Sequence, residues 1–245
     1  MKSIKIYALA LGLLAVFAGC QNDVVKPLEN DKEAPAPVRD VTYTKMSGSV
    51  LLTYTLPSDP DLLYVAASYT NKAGKKYEFK ASYFTNTLLV EGFGDTDTYS
   101  LDVYAVDRSE NYSEPVNIQV AADTPPVQAA YETLEVQPDF GGMTFSFDNA
   151  SKADLTVYVS TPNADNEMVN AETFYTGLAK ATFSVRGFLD VPRDFEICFE
   201  DKWGNRSPVK KENLTPIYEA ELDKKKFKEV TLPSYFPCTF TESKM

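Results

Sequence analysis

From residue 38 onwards, the chain is built of short segments in which apolar and polar residues alternate, with turn-forming residues between them. In one segment, Val50, Leu52 and Tyr54 share one side of a period-two pattern, which is typical of a half-buried β-strand. The run 57–61 (Pro-Ser-Asp-Pro-Asp) ends this segment, and no stretch of the chain has a convincing helical period. The 15 tyrosines and 15 phenylalanines also favour pleated surfaces. We therefore predict an all-β protein.

Seven such segments lie between residues 38 and 120, and the turn signal Asn71-Lys72-Ala73-Gly74 separates the third from the fourth. Seven short strands with turns at this spacing predict an antiparallel β-sandwich over residues 38–122. The predicted strands are 38–43, 50–56, 64–69, 75–81, a strand around Leu88 and Val90, 99–105 and 116–120.

The pattern then returns in a second copy. Residues 107–113 recur as 201–207, with Asp, Asn and Ser matching at a constant offset of 94 positions. Upstream, Gly-Phe-Gly-Asp at 92–95 is echoed by Gly-Phe-Leu-Asp at 187–190. An internal repeat of this kind predicts a second sandwich over 123–217. Its predicted strands include 133–136, 143–147, 155–160, 181–185 and the segment of Phe195, Ile197 and Phe199, and its boundary is the proline pair at 125–126.

The N-terminus has the layout of a bacterial signal peptide. Lys2 and Lys5 precede an apolar core of 13 residues, 6–18, which is shorter than the roughly 20 residues that a membrane-spanning helix needs. Ala18 and Gly19 then lead into Cys20, an arrangement similar to a lipoprotein cleavage site. We predict that residues 1–19 are removed and that Cys20 carries lipid; the alternative is an ordinary secretory peptide with a chance cysteine.

A polar tether is predicted to follow the anchor, over residues 20–37, because this stretch has three prolines, many charges and no apolar period. Removal of residues 1–19 takes away two lysines and no acid, so the mature chain carries a net charge of −13. This negative charge argues against nucleic acid as a partner, since phosphates demand lysine and arginine. Cys198 and Cys238 could pair outside the cytoplasm.

The absence of histidine limits catalysis, because it removes the commonest general base, the commonest zinc ligand and every Ser-His or Cys-His arrangement. The acids that could form catalytic pairs are Asp59 with Asp61, Asp95 with Asp97, and Glu196 with Glu200. Acids in turns more often bond their own backbone, and outward glutamates are usually solvated. We therefore predict no enzyme activity, no metal site and no cofactor.

The first predicted sandwich resembles a fibronectin type III domain. The resemblance rests on the Pro-x-Pro-Val opening at 35–38, the Leu-Pro-x-Asp turn at 56–59 and the Tyr-x-Leu-x-Val strand at 99–103. In this comparison Tyr54 takes the place of the usual core tryptophan.

The chain as a whole is similar to a family of uncharacterised gut-bacterial lipoproteins that accompany starch-utilisation-type import systems. The resemblance rests on the order of three stretches and one residue: Asp-Phe-Gly-Gly at 139–142, then Asn149, then the 201–207 loop, then Pro-Ile-Tyr-Glu at 216–219. It implies an outer-membrane location facing the cell exterior, to which the polar start at 21–23 also points. It further implies a third, discoidin-like carbohydrate-binding domain. Only twelve residues follow Pro233. Either the tail 218–245 is the truncated start of that domain, or the protein does without the domain.

The repeated loop offers two interpretations. Its Asp and Asn residues can hold the turn through side-chain to backbone hydrogen bonds. Alternatively, Trp203, the only tryptophan, could stack on a sugar between Asp201 and Asn205, with Tyr112 as a weaker counterpart in the first module. We expect a non-catalytic binding or spacer module that meets glycan or neighbouring outer-membrane uptake proteins. The alternatives are a purely structural or adhesive module and, third, an accessory to a glycoside hydrolase.

Overall fold

The structure is a computed structural model that describes residues 32–220 and 224–227. The chain divides between Pro125 and Pro126 into two compact units, each considered below by itself. Residues 1–31, with the predicted signal peptide, Cys20 and most of the tether, lie outside the described residues, as does Cys238.

The first unit is a sandwich of two antiparallel sheets. A three-stranded sheet has the order β1-β2-β5, and a four-stranded sheet has the order β4-β3-β6-β7. This is the arrangement of an immunoglobulin-like, fibronectin type III-like sandwich, so the predicted fold class is confirmed. The strands are β1 (Arg39–Met46), β2 (Ser49–Thr55), β3 (Leu62–Thr70), β4 (Lys76–Ser82), β5 (Thr87–Glu91), β6 (Tyr99–Asp107) and β7 (Val116–Val120).

The second unit has the same topology, with sheets of order β12-β9-β8 and β11-β10-β13-β14. Each of its strands occupies the place of the strand seven numbers earlier in the first unit, so the predicted second sandwich is confirmed. The elements are α1 (Pro126–Glu132), β8 (Glu135–Asp139), β9 (Gly142–Asp148), β10 (Leu155–Pro162), β11 (Met168–Thr176), β12 (Lys180–Arg186), β13 (Arg193–Asp201) and β14 (Lys210–Leu214). A 3-10 turn spans Lys224–Lys226.

The short helix α1 corrects the expectation that no stretch is helical. Pro126 ends strand structure but fits the first turn of a helix, where its missing N–H costs nothing. Val127 and Ala130, three residues apart, are buried against the second core. Seven residues are too few to show a helical period. As a result, the first strand of this unit starts at Glu135 and reaches Asp139, rather than spanning 133–136.

The core of the first unit contains several buried aromatic rings. Tyr54, placed by sequence at the usual tryptophan position, is only 2% exposed. Its hydroxyl donates to the carbonyl oxygen of Thr87 at 3.3 Å, and burial raises the pKa of Tyr54 to about 12. Tyr69 stacks on Phe93 with ring centroids 4.6 Å apart. The buried hydroxyls thus find partners while the rings fill the core.

The core of the second unit relies on phenylalanine. Phe145, Phe147, Phe195 and Phe199 are each at most 3% exposed, and the rings of Phe147 and Phe199 meet edge to face at 4.7 Å. Alternate residues of β9 and β13 supply these side chains, as the period-two pattern predicts.

The chain leaves both sandwiches in the same way. In the first unit, Gly48 N donates to Asp123 O at 3.1 Å and Asp123 N donates to Met46 O at 3.0 Å. In the second, Gly141 N donates to Ile217 O at 2.8 Å and Ile217 N donates to Asp139 O at 3.0 Å. Residues 123 and 217 are again 94 apart, so the repeat extends from the loops to the exit segment.

Within residues 32–220 and 224–227, no helix has both the length and the apolar character needed to span a membrane.

Candidate functional site

The loop between β6 and β7 is held by Asp107, whose side chain is fully buried. Its Oδ1 accepts hydrogen bonds from the backbone N–H groups of Ser109 (2.8 Å) and Asn111 (2.9 Å), and its Oδ2 accepts from Asn111 Nδ2 at 2.8 Å. The buried carboxylate therefore substitutes for the backbone partners that a turn lacks.

The loop between β13 and β14 repeats this arrangement. Asp201 Oδ1 accepts from the backbone N–H groups of Trp203 and Asn205, each at 2.9 Å, and Oδ2 accepts from Asn205 Nδ2 at 2.9 Å. Two of the predicted ligand-binding residues, Asp201 and Asn205, thus bond each other and shape the loop that carries the third.

Trp203 lies near the tip of this loop and is half-buried. The Lys202 ammonium lies 5.1 Å from the centroid of its ring, within cation–π range. The next residue, Gly204, has a φ of +83°, a conformation that glycine adopts without strain. The role of Trp203 in ligand contact remains a prediction.

Tyr112 and Trp203 do not occupy equivalent positions in the two units, and ligand contact by Tyr112 stays a prediction as well. Isolated antiparallel bridges pair Val106 with Tyr112 in the first unit and Glu200 with Arg206 in the second. These bridges are 94 positions apart, so Arg206 occupies the place of Tyr112. The two predicted aromatic contacts therefore lie at different places on their respective modules.

The structure brings Tyr112 together with two tyrosines on the outer face of the four-stranded sheet. Its hydroxyl lies 3.3 Å from the hydroxyl of Tyr64 on β3. Its ring meets that of Tyr104 on β6 edge to face, with centroids 5.6 Å apart and planes at 78°. The hydrogen bond with Tyr64 raises the pKa of Tyr112 to about 12. We call Tyr64, Tyr104 and Tyr112 the tyrosine cluster.

Charged side chains of β4 border the tyrosine cluster. Lys80 Nζ donates to the Tyr64 hydroxyl at 3.3 Å, lies 4.7 Å from the centre of the Tyr64 ring, and pairs with Glu78 at 3.1 Å. The hydrogen bonds to Glu78 and Tyr64 raise the pKa of Lys80, so it is a cation at neutral pH. Aromatic faces, an ammonium and a carboxylate thus share one exposed surface.

Sequence reasoning singled out Tyr112 but neither Tyr64 nor Tyr104 as site residues. The available signal was Tyr104 on the polar side of its strand, where an aromatic ring is not needed for the core. The register that pairs Ala66 of β3 with both Lys80 and Tyr104 brings β3, β4 and β6 together, and it is not visible in the sequence.

The second unit carries different groups at the matching places. Arg206 lies over the ring of Tyr158, 5.4 Å from its centroid, and pairs with Glu200 at 2.5 Å. Cys198, the register partner of Tyr158, is half-buried, with its thiol 3.5 Å from the Ser207 carbonyl oxygen. Its pairing with Cys238 stays a prediction, because Cys238 lies outside the described residues.

The acids that sequence analysis weighed as catalytic pairs have structural partners. Asp95 and Asp97 both pair with Lys72, and Glu196 pairs with Lys211 at 2.7 Å. Partial burial opposes ionisation of Asp95, yet its hydrogen bonds from Lys72, the Asp97 backbone and Tyr99 leave its pKa lowered. These carboxylates are thus ion-pair partners of lysine and arginine side chains.

Asp61 differs from these acids. A hydrogen bond with Asp59, together with partial desolvation and the charge of Asp59, raises the pKa of Asp61. Among the residues that the structure describes, no group of three His, Cys, Asp or Glu side chains is placed to hold a metal ion.

Comparison with known families matches the two units separately. Residues 35–122 match the family described as Domain of unknown function (DUF4959), and residues 123–225 match the family described as Domain of unknown function (DUF5126). No curated protein matches the chain significantly.

The solved structures that resemble the chain include a SusE-like protein and two fibronectin type III segments. The SusE-like protein BT2857 is 34% identical over 40% of this chain and 34% of its own length, with a TM-score of 0.35, so the chain spans about a third of that protein. A two-domain fibronectin type III segment of chicken tenascin is 15% identical over 73% of this chain and 99% of its own length, with a TM-score of 0.34. The FN1–FN3 domains of chicken CNTN1 are 9% identical, covering 75% of this chain and 68% of theirs, with a TM-score of 0.34.

Proposed function

We propose that this protein is a lipid-anchored, surface-exposed outer-membrane protein that acts as a non-catalytic glycan-binding or spacer module in a polysaccharide uptake system. The two sandwich units in series, each matching a domain family, are the observation that carries the proposal. The 34% identity shared with a SusE-like protein agrees with this setting.

The proposed anchor is Cys20. The apolar run 6–18 and the small residues before the cysteine support cleavage and acylation there. Each buried methylene of an acyl chain contributes about 0.8 kcal/mol, so two or more chains give stable membrane anchoring. The tether then holds the sandwiches away from the membrane surface.

A non-catalytic role fits the chemistry of the described acids. Asp95, Asp97, Glu196 and Glu200 meet cationic side chains rather than facing one another across a cleft. Glycoside hydrolysis requires two carboxyls roughly 5 to 10 Å apart on either side of a bound sugar. The outward tyrosines of the first unit instead favour recognition of a ligand without reaction.

The anchor is tested by labelling producing cells with radioactive palmitate and comparing the wild-type chain with Cys20→Ser. We expect label in the wild-type protein only, and cleavage of the wild-type protein by protease added to intact cells. Cys238→Ser is the matched control, because it removes a cysteine without touching the signal, and it should keep the label. An unlabelled wild-type protein would contradict the anchor.

A structural or adhesive module is the second candidate. It is favoured by the repeated backbone hydrogen bonds of residues 123 and 217, which fix the chain in the same way where it leaves each sandwich, as suits a spacer. Mild detergent extraction followed by affinity purification distinguishes this candidate from a glycan-binding module. A module that holds neighbouring uptake proteins should co-purify with them, whereas isolation of the chain alone would count against this candidate.

A further inference from the structure

We propose that the tyrosine cluster (Tyr64, Tyr104 and Tyr112) is a sugar-binding platform that takes a neutral oligosaccharide. The inference rests on the proposed function in that the glycan would be met at the cell surface. The proposed site is separate from the Trp203 loop, and the proposal also specifies the class of ligand.

The platform is held in place before any ligand arrives. Tyr112 is 42% exposed, yet its hydroxyl is bonded to Tyr64 and its ring edge is packed against Tyr104. Tyr64 and Tyr104 project from neighbouring strands of one sheet, so their backbones are fixed by the β3–β6 ladder. An exposed ring that is already restrained on two sides loses little rotamer freedom on binding, and this favours affinity.

The chemistry around the rings matches a sugar. The C–H face of a pyranose stacks on an aromatic ring, while its hydroxyls require donors and acceptors at the ring edge. The Tyr112 and Tyr64 hydroxyls, the Lys80 ammonium and the Glu78 carboxylate supply both kinds. Ala66 lies in register between Lys80 and Tyr104 and is only 1% exposed, so neighbouring side chains cover it.

The charge of this face favours a neutral ligand. Glu78 on β4 and Asp102 on β6 both project outward here, in register with Ser68 of the intervening strand β3. The mature chain also carries a net charge of −13, which repels acidic polysaccharides over distances up to about a Debye length. A neutral oligosaccharide is repelled neither by these two carboxylates nor by the net negative charge of the chain.

The second unit shows that the fold itself does not require the cluster. Both units share topology, loop hydrogen bonds and exit geometry, and cross-strand aromatic pairs can serve sheet stability alone. The second sandwich nevertheless has Arg206 and Cys198 where the first has Tyr112 and Tyr104, and it pairs that arginine with Glu200. Tyr104 and Tyr112 are therefore a property of one copy of the repeat, whereas the second unit has a single tyrosine, Tyr158, at the place of Ala66, with Arg206 over its ring.

The test is affinity electrophoresis of the soluble chain, residues 21–245, in native gels that contain amylopectin, galactomannan or xyloglucan, with polygalacturonate as the acidic probe. We expect at least one neutral polysaccharide to retard the wild-type chain and polygalacturonate not to. Tyr112→Ala should weaken retardation at least tenfold, whereas Tyr112→Phe, which keeps the ring, should retain most of it. Tyr175→Ala is the matched control, because it removes a 75% exposed tyrosine of β11 that is not part of the cluster, and it should behave as wild type.

A thermal melt of each variant confirms that it is folded, and a misfolded Tyr112→Ala is replaced by Tyr104→Ala. Unchanged retardation in the folded cluster variants would overturn the platform. So would loss of retardation in Trp203→Ala alone, which would place the site on the loop of the second unit. If none of the three neutral polysaccharides retards the wild-type chain, the platform fails, while palmitate labelling still decides the anchor separately.

Discussion

At the scale of single residues, buried or well-bonded aspartates organise the turns of this protein. Asp107 and Asp201 each collect two backbone N–H groups and one side-chain amide, so the same residue type performs the same task in both copies. Asp139 has a comparable role beside Ile217, where the chain leaves the second sandwich. It accepts hydrogen bonds from Thr144 Oγ1 (2.7 Å), Phe140 N (2.8 Å) and Arg186 Nη2 (3.2 Å).

The bonds to Asp139 predict a pH dependence. The hydroxyl of Thr144 and the backbone N–H of Phe140, followed by Arg186 and Ser184, lower the pKa of Asp139 to about 2. The unfolded-state value is about 3.9, so the stabilisation is complete above that pH and is lost as pH falls through 2. We expect Asp139→Asn to melt at a lower temperature than wild type at pH 6, and the gap to close between pH 4 and pH 2. A gap that stays constant over this range would contradict the assignment.

The face on which a strand residue lies can be predicted from sequence, but the register between strands cannot. Tyr54 was correctly placed in the core from its position in an alternating strand, because strand faces follow from period two alone. Tyr64, Tyr104 and Tyr112 are separated by up to 48 positions, and their proximity depends on which strands pair and in which register. Local patterns carry no information on that register.

Among the elements, most of the strands that the sequence predicted have a buried face, although β1 was predicted and is almost entirely exposed. Two strands of the second unit went unnamed. The chain at β11 (Met168–Thr176) is mostly exposed, with burial confined to its last few residues, and β14 (Lys210–Leu214) is rich in charge. Both lie at the edges of their sheet, where exposed polar residues protect against pairing with other chains. Alternation of apolar residues is weak in such strands, so period two fails to identify them.

One glycine decides whether two strands of the second unit can pair. Gly142 begins β9 opposite Arg186 of β12, and a methyl group on it would lie 1.8 Å from the carbonyl oxygen of Val185. The clashing atom belongs to the backbone, so it cannot move away by a side-chain rotation. We expect Gly142→Ala to destabilise the second sandwich by about 3 kcal/mol or more, measured by urea unfolding monitored by circular dichroism.

The control for Gly142→Ala is Gly177→Ala. Its added methyl group would meet the Asp154 carboxylate at 3.3 Å, and the tip of an exposed side chain can move. This variant should unfold within about 0.5 kcal/mol of wild type, as ordinary surface substitutions do. Equal losses in the two variants would show that the close approach of β9 and β12 is not the cause.

At the scale of the whole molecule, the two sandwiches are predicted to be independent folding units. Each of the four sheets in the described residues draws its strands from one unit, and each unit has its own buried aromatic core. A domain of about 90 residues buries enough of its surface on folding to be stable alone. We therefore expect fragments 32–125 and 126–245 each to show strand circular dichroism and one cooperative thermal transition. In the intact chain, Gly142→Ala should then lower the transition of the second unit and leave that of the first in place. A first fragment that stays unfolded in isolation, or a Gly142→Ala chain in which both transitions move together, would show that the units depend on one another.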